Sequence, residues 1–168
     1  VICSDKTGTI TRNEMTVTRL FAGCRHWAVT GTGYSIEGSI VPEGHEPGRS
    51  EHEAVERLLE IGVYANNATF IQEGDEHRFD GSPTEKAVLA CSAKKAGGNP
   101  KKLFARHRVD EIPFSSKTKY MATLVADEEK APMIYLKGAP ERVLDFCSHL
   151  LVEGKRQTLT DDLRKEIL

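Results

Sequence analysis

Short apolar runs joined by tight turns constrain this chain more than any other feature. Tyr120 to Ala126 and Met133 to Lys137 flank a charged tip, Asp127 to Lys130. Ala68 to Gln72 and His77 to Phe79 flank Glu73-Gly74-Asp75, and Leu150 to Val152 and Gln157 to Leu159 flank Glu153-Gly154-Lys155. Connections this short join antiparallel strands, because a parallel crossover needs a dozen or more residues. Further strands are expected at Met15 to Phe21, Arg25 to Thr30 and Val109 to Ile112. The Gly- and Pro-rich stretch from Gly31 to Arg49 reads as a surface excursion with an irregular strand near Tyr34 to Ile36. Hairpins outnumber any βαβ pattern. The expected class is therefore α+β, an antiparallel β-sheet flanked by helices.

The helices announce themselves by their caps. Ser50-x-x-Glu53 has the form of a capping box, and Ala54, Leu58, Ile61 and Ala65 follow at helical spacing. Ser82, with Pro83 and Glu85 behind it, starts a second helix expected to end near Gly97. Asn99-Pro100 suggests a short third helix. Pro140 opens another, through Val143, Leu144 and Cys147, and Thr160 caps the last.

Composition excludes several function classes. The chain has 168 residues, 39% hydrophobic and 29% charged, with a net charge of −2. That suits one domain, with room for a fragment of a second. Charges of both signs are mixed, so a polybasic nucleic-acid surface is not expected. Apolar runs such as Ile61 to Ala65 fall far short of the ~20 residues that span a bilayer. Val1-Ile2-Cys3 runs directly into charge, unlike a signal peptide. The four cysteines, Cys3, Cys24, Cys91 and Cys147, form no C-x-x-C pair and read as reduced thiols.

Chemistry enters at Asp5. Val1-Ile2-Cys3 has the character of a buried strand ending in a polar loop, Ser4-Asp5-Lys6-Thr7-Gly8-Thr9-Ile10. A carboxylate at such a strand end is suited to attack on a phosphoryl group. Lys6 and the loop amides can offset charge on the transferring oxygens, and Mg2+ would draw oxygen ligands from Asp5 and the backbone nearby. Three more segments are suggestive. Glu85 in Gly81-Ser82-Pro83-Thr84-Glu85 is where a capping box wants a carboxylate, yet it can also border a pocket. In Pro113-Phe114-Ser115-Ser116-Lys117-Thr118-Lys119-Tyr120-Met121, an aromatic plate precedes cations, as a purine nucleotide site requires. Phenylalanine is also a common core residue. In Lys137-Gly138-Ala139-Pro140-Glu141, a strand-ending lysine precedes small residues and a proline-started helix.

Asp-Lys-Thr-Gly-Thr at residues 5–9, followed by Ile-Thr-x-Asn, resembles the phosphorylation motif of P-type ATPases. The segments at Glu85, Phe114 and Lys137 are similar to nucleotide-site motifs of the type II cation pumps, in family order across essentially the whole chain. The His-Pro dipeptide of the heavy-metal pumps is absent. The resemblance implies that Asp5 accepts the γ-phosphate of ATP, with Lys6 and Thr7 beside it and Asp5 and Thr7 serving Mg2+. It implies that Phe114 stacks on adenine, that Glu85 lies near it, and that Lys119, Met121, Lys137 and Gly138 line the nucleotide pocket. Many calcium pumps carry arginine where Ser116 stands, which leaves Lys117 or Lys119 as the candidate for that phosphate contact.

On this resemblance residues 1–14 begin a haloacid-dehalogenase-like phosphorylation domain, of which the chain holds only the first strand and loop. Residues 15–168 form the nucleotide-binding domain. The expected whole is an integral membrane protein that hydrolyses Mg·ATP through an aspartyl-phosphate to move cations. Its partners for this piece are ATP or ADP and the remaining phosphorylation, actuator and transmembrane domains, with the transported cation bound elsewhere. The piece itself is expected on the cytoplasmic side, binding nucleotide without turnover, with Asp5 exposed. The alternatives are a cap-bearing phosphatase of the same catalytic fold and a non-enzymatic nucleotide-binding module. The phosphatases place an aspartate two residues after the nucleophile, where this chain has Thr7, and this argues against the first.

Overall fold

Helix α1 (Arg49–Tyr64) contributes side chains to all three core clusters, through Val63, through Val55 and Leu59, and through Tyr64. A computed structural model describes residues 14–73, 76–97, 106–127 and 130–168. Strands β1 (Arg19–Ala22), β2 (Arg25–Val29) and β3 (Ile40–Pro42) form one antiparallel sheet, in that order. Trp27 and Val29 of β2 pack on Val55 and Leu59 of α1 and on Cys91 of α2 (Pro83–Lys95). The hairpin of β4 (Thr69–Glu73) and β5 (Glu76–Asp80) brings Phe79 against Val63, Leu89, Ala90 and Ala93.

The sheet that positions the site is antiparallel, with order β6 (His107–Ile112), β7 (Tyr120–Asp127), β8 (Lys130–Gly138). Its register sets Met121 opposite Lys137 and Thr123 opposite Tyr135. Met121, Val125 and Tyr135 meet Tyr64 and Ala65 at the end of α1, forming a third core cluster. The short helix α3 (Pro140–Asp145), the hairpin of β9 (His149–Val152) and β10 (Lys155–Thr158), and α4 (Asp161–Ile167) follow. The class is α+β, with antiparallel pairing in every described sheet, though the described strands lie in four small sheets rather than one.

Several expectations need correction. The first strand begins at Arg19, not Met15, because β2 offers ladder partners only from Ala22 back to Arg19, with one more bond from Val29 N–H to the Thr18 carbonyl. Tyr34 to Ile36 is a turn and not a strand. The strand in that region is β3, on the sheet edge, where Pro42 is tolerated because its missing N–H faces no neighbour. Helix α1 is capped at Gly48, not Ser50. The Gly48 N–H donates to Glu51 Oε2 at 2.6 Å, while Glu53 pairs with Arg49. Glu51 also lies 3.5 Å from the guanidinium of Arg25, only 7% exposed, so a tertiary partner selects this carboxylate. The expected helix after Asn99-Pro100 lies outside the described residues.

Candidate functional site

The end of β6, the start of β7 and the end of β8 lie together at one edge of their sheet, because Ile112 pairs with Ala122 and Tyr120 with Gly138. The segment from Pro113 to Lys119 therefore closes over the same end as the turn from Gly138 to Pro140. Phe114 is 58% exposed there, so it is not a core residue.

Lys119 adopts a left-handed backbone (φ 61°), which costs a residue with a Cβ about 1–2 kcal/mol. The neighbouring bonds over-determine it. Its N–H donates to the Ser115 carbonyl at 2.8 Å, and its carbonyl accepts from Ala139 N–H at 2.9 Å. The Ser115 hydroxyl also accepts from Thr118 N–H at 3.1 Å. Gly138 makes the approach possible: a Cβ there would sit 2.5 Å from the Lys119 carbonyl oxygen and 2.6 Å from Tyr120 Cβ. The ammonium of Lys119 pairs with Glu141 at 3.5 Å. The Glu141 carboxyl is held below the usual carboxylate range by its own backbone N–H at the start of α3 and by Lys119.

Glu85 approaches from the first turn of α2. Its N–H donates to Ser82 Oγ at 3.4 Å, so Ser82 caps the helix with Pro83 in the first turn. The two carboxylate oxygens divide their tasks. Oε2 accepts from the Ser82 hydroxyl at 3.0 Å, while Oε1 accepts from Asn67 N–H at 3.1 Å and faces Lys137 Nζ at 3.2 Å. Burial pushes the Glu85 carboxyl upward, but the Asn67 N–H, Lys137 and Ser82 outweigh it and leave it below the usual range. Half-buried Lys137 thus stands as a cation with a fixed counter-charge beside Gly138.

The structure thus joins Glu85 to Lys137 directly and Lys119 to Ala139, beside Gly138, through the backbone, with Phe114 on the same sheet end. Met121 is 0% exposed and belongs to the core cluster with Tyr64 and Tyr135. It shares the sheet face of its register partner Lys137 but is fully covered, packed with Tyr64, Ala65 and Tyr135. Ser116 and Lys117 are exposed in the same segment. The sequence reasoning passed over Asn67, whose N–H meets Glu85, and Glu141, which meets Lys119. The signal for Asn67 was a polar Asn66-Asn67 pair directly after an apolar helix end. Asp5, Lys6 and Thr7, with the boundary near residue 14, lie outside the described residues. Among the described residues no group of three or more His, Cys, Asp or Glu side chains is gathered to hold a metal, and no helix is long and apolar enough to cross a membrane.

Comparison with known proteins assigns the family. Residues 54–168, more than half of the chain, match the family model of the P-type ATPase cytoplasmic domain N. The chain is 34% identical over 167 residues to a calcium-transporting ATPase of Bacillus subtilis, covering 99% of this chain and 19% of that protein. It is 35% identical over 168 residues to the human calcium-transporting ATPase type 2C member 1, covering 98% of this chain and 18% of that one. A probable cation-transporting ATPase F of Mycobacterium tuberculosis is 40% identical over 149 residues, 88% of this chain and 16% of that protein. The chain thus spans less than a fifth of the length of these relatives. It belongs to the P-type cation-transporting ATPases and carries their N domain.

Proposed function

We propose that this chain binds ATP at the sheet end bearing Phe114, Lys119, Glu85 and Lys137, and presents it to Asp5 of a cation-transporting pump. The observation that supports this best is the Glu85–Lys137 pair, set beside the close-approach glycine Gly138 and on the sheet end that exposes Phe114. An exposed aromatic face suits adenine, since stacking needs only a π-surface. Two lysines at the mouth suit the phosphates, as charge-assisted hydrogen bonds to an anion are the strong ones. Glu85 and Glu141 keep these cations oriented until the phosphates arrive.

Asp5 is then the nucleophile that accepts the γ-phosphoryl group as ADP leaves, with Lys6 and the loop amides offsetting charge on the transferring oxygens. Asp5 and Thr7 offer the oxygen ligands for Mg2+, which neutralises phosphate charge when bound. Residues 1–14 belong to the phosphorylation domain and residues 15–168 to the nucleotide-binding domain. The longer protein couples the aspartyl-phosphate to cation movement through actuator and membrane domains, with this piece on the cytoplasmic face. Two of the relatives are named calcium-transporting, which makes calcium the first cation to test.

Calorimetric titration with Mg·ATP, paired with a phosphate-release assay, tests the proposal. Saturable heat with dissociation constants near the millimolar range, worth about 4 kcal/mol, is the expected result, with no phosphate release by the 168-residue chain. Absence of saturable binding at several times that concentration would contradict it.

A further inference from the structure

The Glu85–Lys137 pair is held in place by a polar corner that none of the motifs includes. Asn66 is 3% exposed, and its amide spans three backbone segments. Nδ2 donates to the Gly62 carbonyl of α1 at 2.9 Å and to the Glu85 carbonyl of α2 at 3.0 Å. Oδ1 accepts from Ala68 N–H, just ahead of β4, at 2.8 Å. Both donors and the acceptor of this side chain are therefore engaged, as a buried amide requires.

The corner is tied to the sheet by Arg108 of β6. Its Nη2 donates to the Tyr64 carbonyl at 2.9 Å and to the Asn66 carbonyl. Its Nη1 donates to Asn67 Oδ1 and to Glu111 Oε2, each at 2.6 Å. Thr123 of β7 adds a hydroxyl bond to the Tyr64 carbonyl at 3.0 Å. A guanidinium suits this task, because its fixed fork of donors meets several carbonyls at once near a helix C-terminus. The corner ends in one functional contact: the next N–H, that of Asn67, donates to Glu85 Oε1, the oxygen that Lys137 also faces.

We propose that Asn66 and Arg108 are positioning residues of the nucleotide site, holding Asn67 N–H against Glu85 and thereby fixing the Glu85–Lys137 pair. The proposal rests on the assignment of that pair to nucleotide binding. It assigns the two residues no contact with the nucleotide. Asn66 acts by fastening the start of α2 to the end of α1. Arg108 acts by fastening the Asn66-Asn67 corner to the sheet that carries Lys137.

The test uses the 168-residue chain with 13C-labelled glutamate carboxyls, comparing wild type, Asn66→Ala and Arg108→Lys. Lysine keeps the charge of Arg108 but loses the fork, and the site is half-exposed, so this variant retains the fold should Asn66→Ala lose it. Two readouts are taken: the acid titration midpoint of Glu85 and the ATP dissociation constant. The charged group facing Glu85 is Lys137 of β8, with the neutral donors Asn67 N–H and the Ser82 hydroxyl beside it. In folded variants the Glu85 midpoint should move upward, and ATP should bind about 5- to 10-fold more weakly, the size of one net hydrogen bond. A purely structural role would lower Tm but leave both readouts at their wild-type values, and that result overturns the proposal. If wild type itself shows no ATP-dependent change, the nucleotide assignment fails and this one with it. Binding by wild type with unchanged variants sinks only the positioning role.

Discussion

Phe114 stands 58% exposed on a loop whose backbone is closely bonded, which separates its role from that of a core aromatic. Phe114→Ala should therefore weaken ATP binding by about 1–3 kcal/mol, with Tm nearly unchanged, while Phe114→Trp should retain binding. Calorimetry on the three proteins, with melting curves alongside, checks this; loss of the fold in Phe114→Ala would mean the ring is structural. Gly138 makes the opposite prediction. Gly138→Ala drives a methyl into the Lys119 carbonyl and Tyr120, which are strand backbone and Cβ and have little room to move. It should cost about 1–3 kcal/mol in urea denaturation, with ATP affinity falling as Lys119 is displaced. Glu85 adds a pH signature. Its carboxyl titrates below its ordinary value of 4.5 in the folded chain, so its contribution is present above that value. The contribution is lost as pH falls through the lower folded value. Glu85→Gln should accordingly flatten the loss of stability on acidification below about pH 4.5, read from urea midpoints across that range; an unchanged acid limb would contradict the arrangement at Asn67 and Lys137.

At the scale of elements, Glu51 is the contact that joins the start of α1 to the β1–β3 sheet. It accepts from Gly48 N–H and neutralises Arg25, whose Nε and Nη1 find no hydrogen-bond partner among the described residues. Glu51→Gln should destabilise the chain by about 1–3 kcal/mol, whereas Glu53→Gln, at an exposed pair with Arg49, should change it by under about 1 kcal/mol. Denaturation midpoints of the two variants make the comparison. The same contrast explains what was legible in the sequence. Hairpins were legible because their signal is local, with turn residues bracketed by alternating runs, and the cap at Ser82 was legible for the same reason. The cap of α1 was not, since two carboxylates compete for it and the winner is chosen by Arg25, more than twenty positions away in sequence. Strand β3 was hidden because an edge strand tolerates Pro42, a residue that otherwise argues against a strand. Within the candidate site, Glu85, Phe114, Lys119, Lys137 and Gly138 carried recognisable motifs. Met121 shares the face of Lys137 but is fully buried, a depth of cover that no motif discloses. Asn66 and Arg108 escaped because their bonds are long-range and backbone-directed.

For the whole molecule, the proposed function puts nucleotide binding and phosphoryl transfer on separate segments of the chain. On that proposal, Asp5→Asn in the longer protein should abolish acid-stable phosphoenzyme while leaving ATP affinity at the Phe114 site intact, because an amide is no nucleophile and the proposed adenine site does not include residue 5. Radiolabelled phosphate trapped in acid, measured beside ATP binding, distinguishes the two segments. The claim on which all of this depends is that the β6–β8 sheet end is the nucleotide site. Titration of the 15N-labelled 168-residue chain with ATP, followed through its amide NMR spectrum, tests that claim most directly. Saturable shifts gathered at Phe114, Lys119, Glu85 and Lys137 are predicted; unperturbed amides at all four positions with several millimolar ATP, or shifts gathered elsewhere, would contradict it.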